Sequence, residues 1–122
     1  MQVRNDPIGT STTQEIEDTV KPNSTQVAPA MALVQLLTEH PELPEATWRV
    51  GGDTLAGHMY GPAVGYFDGL AAYAEVLGGG ILPGGEYTLE GQALRLHELS
   101  TVWRDVRIVV GVGVPVNVAV TA

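Results

Sequence analysis

The chain has 122 residues and an apolar fraction of 44%, enough for one domain with a buried core. It carries 14 acidic residues against six basic ones, a net charge of −8, and Lys21 is its one lysine; no basic stripe exists for a phosphate backbone, so the composition disfavours nucleic-acid binding. It has no cysteine, which excludes disulfides, thiolate metal sites and a cysteine nucleophile and fits a reducing compartment.

Residues 1–28 are rich in Thr, Ser, Asn, Asp and Gln and poor in large aliphatics. Such a stretch buries too little surface to offset its ordering entropy, so it reads as a flexible polar tail ahead of a single domain over 29–122. The start lacks the basic and apolar pattern of a secretory signal, and no run reaches the roughly 18 apolar residues of a membrane helix. A cytoplasmic protein without membrane contact is the expectation.

Pro29 suits the first position of a helix, and Leu33, Leu36 and Leu37 then recur at helical spacing, with Ala30, Met31 and Val34 widening the apolar arc. His40-Pro41 stops that helix. Residues 47–60 follow with alternating apolar and polar side chains around Gly51-Gly52-Asp53, the pattern of a β-hairpin. With Gly52 and Asp53 as the loop, Val50 faces Leu55 and Trp48 lies over Gly57. The opposite face of this hairpin carries Thr47, Arg49, Ala56, His58 and Tyr60.

A second helix is expected over 63–77, with Phe67, Leu70, Ala74 and Leu77 on its buried stripe. Gly65 and Gly69 weaken it and point to a close approach of another element. Gly78-Gly79-Gly80 stops it, and a mobile loop runs to about residue 85. A short strand over 86–89 and two long strands over 92–102 and 106–114, turning near Arg104-Asp105, complete the pattern, although the good helix formers of 92–99 leave a helix over 92–102 as the alternative. Pro115 ends the last strand. The expected fold is α+β in the order α-β-β-α-β-β, an antiparallel sheet of about four strands with two helices on one face.

Four segments carry a likeness: Trp48-Arg49-Val50, Leu55-Ala56-Gly57, the run from Leu70-Ala71-Ala72-Tyr73 through Gly79, and Thr101-Val102-Trp103-Arg104-Asp105-Val106. Over about residues 33–114 the chain resembles small actinobacterial proteins of unknown function. The resemblance implies no activity, so no residue role is carried over from it.

Chemistry is sparse. His40, His58 and His97 are isolated, which leaves no metal-ligand spacing. Ser100 is the one serine past residue 28, and no Gly-x-Ser-x-Gly elbow occurs. The acidic residues form no singled-out pair, and the glycine runs follow a helix, unlike those of a phosphate loop. No catalytic residue, metal or cofactor is therefore named. The candidate binding residues are Arg49, His58 and Tyr60 on the first hairpin, Arg95 and His97 on a later strand, and Trp103 as a contact anchor beside its turn. The expected function is a non-catalytic interaction or assembly module that self-associates as a homodimer or other homo-oligomer, or binds a partner protein. Its contact would be the valine-rich edge over 108–118 or the sheet face. The alternative is a small-ligand-binding protein or enzyme with a site around His58 and His97.

Overall fold

A computed structural model of the protein describes residues 24–116. The expected tail up to position 23, and positions 117–118 of the expected edge, lie outside the described residues. A 3-10 turn, Ser24–Gln26, leads into helix α1, Val27–Glu39. The helix starts two residues ahead of Pro29, which the sequence reading placed first. Pro29 still sits in the first turn, where a backbone N–H would have no helical acceptor. At the far end the His40 amide donates to the Leu36 carbonyl at 2.9 Å.

Strands β1, Thr47–Gly51, and β2, Thr54–Met59, form the expected hairpin in the expected register: Trp48 opposite Gly57, Val50 opposite Leu55. The indole rests directly on glycine, because a Cβ on Gly57 would stand 2.6 Å from Trp48 Cζ3. Trp48 also meets Tyr73 edge to face, with ring centres 5.9 Å apart.

The helix expected over 63–77 is broken in two: α2, Gly61–Val64, and α3, Phe67–Leu77. Gly65 (φ 72°) ends α2 in the left-handed region, and Tyr66 (φ 55°, ψ −106°) turns the chain into α3. Gly69 then lets α2 close on α3, since a Cβ there would lie 2.8 Å from Val64 Cβ. The two glycines that weaken a continuous helix thus serve a break and a close approach.

Gly78 (φ 77°) ends α3 as expected. The glycine- and proline-rich segment after it is a strand, however, and not the expected loop. β3, Gly80–Leu89, pairs with β4, Gln92–Trp103, and the ladder is interrupted between Pro83 and Glu86. A bulge at Gly84-Gly85 absorbs the irregular stretch, the usual position for glycine inside a strand. β5, Val106–Pro115, returns through a two-residue turn in which Arg104 and Asp105 both take positive φ, 54° and 66°.

Among the described residues the sheet therefore has five strands, ordered β1-β2-β5-β4-β3. It is mixed, because β2 and β5 run parallel while every other neighbouring pair is antiparallel. This corrects the antiparallel four-stranded expectation. It also moves the valine-rich strand from an edge to the centre. Its alternating Val106, Ile108, Val110, Val112 and Val114 are all buried under the helices, as a central strand allows. The helices pack on one face, as expected. There Ala32, Leu36, Leu70 and Tyr73 close over Leu55, Leu99, Ile108 and Val110. The Tyr73 hydroxyl donates to the Pro44 carbonyl at 2.5 Å, and burial pushes its pKa up to about 12. Among the described residues no helix is long and apolar enough to cross a membrane.

Candidate functional site

Strand alternation decides which side chains can meet. His58 pairs with Gly111 and His97 with Val112, consecutive residues of β5 that point to opposite faces. The two histidines therefore do not form a joint site. His58 shares the open face with Thr47, Arg49 and Ala56, as the hairpin register implies.

His97, Arg95 and Trp103 belong to the helix-side register. His97 stands edge-on to Phe67 with ring centres 4.7 Å apart, and its Nδ1 lies 3.3 Å from the Arg95 carbonyl. Arg95 binds the Glu86 carboxylate across the β3–β4 ladder and donates to the Gly84 carbonyl at 3.2 Å, which ties down the bulge. Trp103 is half-buried against the core, with the Arg104 guanidinium 4.1 Å over its ring. These three residues fasten the fold. Of the six candidates, only Arg49, His58 and Tyr60 face open space together.

The open face is hollow because β5 presents glycine there. Gly111 and Gly113 point outward in turn and leave the middle of the sheet without side chains. Arg49 and His58 on one side and Tyr87 and Glu98 on the other border a cleft of about 440 Å³ over Ala56 and Gly111. A second cleft of about 380 Å³ continues it past His58 toward the ends of β2 and β5. Tyr60, Tyr66, Tyr87 and Glu90 line this second cleft. Tyr60 is 72% exposed, Tyr66 lies against Gly61, and Tyr87 reaches over Gly113 with its hydroxyl where a Cβ would collide.

Two of these lining residues hold costly backbone conformations. Tyr66 sits outside the αL minimum, and Glu90 (φ 52°) occupies a tight turn with Gly91 (φ 81°). Positive φ at a non-glycine residue costs on the order of 1 kcal/mol or more and concentrates at sites that use it. Sequence reasoning named Tyr60 as a binding residue but not Tyr66 or Tyr87. The Leu89-Glu90-Gly91-Gln92 turn was the available signal, since Glu90-Gly91 between alternating segments marks a hairpin tip. Among the described residues no cluster of three or more His, Asp or Glu is placed to hold a metal ion. No family model matches the chain, and comparison with curated proteins returns no match.

Proposed function

We propose that the protein is a non-catalytic assembly module that self-associates through the outer face of α1. One observation carries this reading. Val27, Met31, Val34 and Leu37 are 56, 57, 63 and 52% exposed, one after another along the same side of the helix. The opposite side of α1 buries Ala32 and Leu36 in the core, so the helix is apolar on both sides and covered on one. A helix that is apolar all round is one that gets buried. Val27, Met31 and Val34 follow the four-then-three spacing of a helix–helix seam, and Leu37 widens the strip on one side.

The sheet edges are poorer candidates. β3 is long and exposed, but Pro83 lacks an N–H and the bulge bends the ladder, two devices that blunt edge pairing. β1, the other edge, is only five residues long. Light scattering over a range of protein concentrations tests the proposal. The expected result is a dimer or larger assembly that Val34→Glu converts to monomer without loss of fold. A monomer at every concentration in the unmodified chain overturns it.

A further inference from the structure

We infer that the cleft formed by Tyr60, Tyr66, Tyr87 and Glu90 binds a methylated ammonium group. Three tyrosines and one glutamate line a single space of about 380 Å³ at the ends of β2 and β5. Aromatic faces attract a cation through their quadrupole, and a nearby carboxylate adds a full charge.

Charge and solvation narrow the ligand class. Glu90 is the one Asp, Glu, Lys or Arg among the cleft-lining residues. The chain as a whole carries −8, which favours the approach of a cation at long range. A primary ammonium holds its water strongly and would demand several acceptors in exchange. Here Thr47, His58 and Gln92 supply a few polar groups, while Met59, Pro62, Leu89, Leu94 and Pro115 make much of the remaining wall apolar. N-methyl groups suit such walls, since they spread the charge over a surface that needs no hydrogen bonds.

The backbone supports the same assignment. Among the described residues only Tyr66, Glu90, Arg104 and Asp105 have positive φ without being glycine. Arg104 and Asp105 make the turn between β4 and β5, and Glu90 with Gly91 makes the turn between β3 and β4; Tyr66 is the one that no hairpin turn accounts for, and it borders this cleft. Glycines complete the arrangement: Gly61 and Gly113 leave the room that the Tyr66 ring and the Tyr87 hydroxyl occupy. The Tyr66 ring, packed against the core, is thus seated before any ligand arrives, which lowers the cost of ordering it.

The test is an amide NMR titration of the full chain with choline, beside its neutral isostere 3,3-dimethylbutan-1-ol. The expected result is saturable shifts at Tyr60, Gly61, Tyr66 and Gly113, with choline bound about tenfold more tightly than the isostere. Tyr60→Leu and Glu90→Gln each weaken choline binding several-fold while the melting temperature stays put. A short trimethyllysine peptide run in parallel separates the sources: tighter binding than choline points to a modified protein tail, weaker binding to a free small molecule. Equal binding of choline and isostere, or no saturable shift at these residues, overturns the inference.

Discussion

On one face of the sheet an indole, Trp48, lies on Gly57; on the other a phenol, Tyr87, reaches over Gly113. The device is the same, a missing side chain filled by an aromatic from a neighbouring or near-neighbouring strand, but the consequences differ. Trp48 is held by Tyr73 and by the core that α1 and α3 build above it. Tyr87 belongs to an edge strand exposed along its whole length. Where helices cover the sheet, the glycine makes room for a fixed core contact. Where they do not, it makes room for the wall of a cleft. Covering, and not local sequence, separates structure from site.

The sharpest way to break this comparison is to cut equal pieces from both faces of one strand. Leu99 and Leu96 both lie on β4; Leu99 is fully buried on the helix side, and Leu96 lies half-exposed beside Gly111 on the other. Leu99→Ala is expected to cost about 2–5 kcal/mol, because it leaves a hole that packed helices cannot collapse. Leu96→Ala is expected to cost about 1 kcal/mol or less, in proportion to its smaller burial. Urea unfolding of the two variants measures both, and equal losses would mean that the open face is covered as firmly as the other.

Filling the two glycines is the next test, with a smaller effect. Gly57→Ala drives a methyl group into the Trp48 ring, which Tyr73 keeps from moving aside, so a loss of about 1–3 kcal/mol is expected. Gly113→Ala meets chiefly the tip of Tyr87, which can swing into solvent, and stability should change by less than about 1 kcal/mol. The same denaturation curves read both. A large loss at Gly113 would show that Tyr87 is pinned.

How far the sequence reached follows the distance between partners. Trp48 and Gly57 are nine positions apart in one hairpin, so alternation and a glycine turn were enough to pair them. The turn at Arg104 and Asp105 and the two strands beside it were legible for the same reason. Tyr87 and Gly113 are separated by 26 positions and belong to strands that are not even neighbours in the sheet. Nothing local announces their meeting. The parallel pairing of β2 with β5 was likewise hidden, because it joins strands across two helices and a hairpin. Its one trace was the valine-rich segment over 106–114, which suits a central strand better than the edge to which it was assigned. His58 and His97 failed as a pair on the same ground: their faces depend on that parallel register, which shifts the parity between the hairpins.

The smallest expected effect concerns what keeps the helix face covered. Arg104 donates to the Glu39 carboxylate at 2.8 and 2.6 Å and to Gln35 at 2.9 Å, clasping the end of α1 to the turn between β4 and β5. The hydrogen bond from Arg104, above all, holds the Glu39 carboxyl below its ordinary value of 4.5, and the attraction of the two charges adds to it. The folded chain therefore binds this proton less readily than the unfolded chain. The contribution to stability is present above about pH 4.5 and is lost as pH falls through the lower folded value. Because both groups are open to solvent, the contribution is small. Glu39→Gln keeps an acceptor and removes the titration. Thermal melts from pH 7 down to about pH 3 should show a slight advantage of the unmodified chain at neutral pH that disappears in acid. A constant gap across that range would mean that the clasp works through neutral hydrogen bonds alone. No gap at any pH would mean that the inner face of α1, with Ala32 and Leu36 in the core, covers the sheet without help.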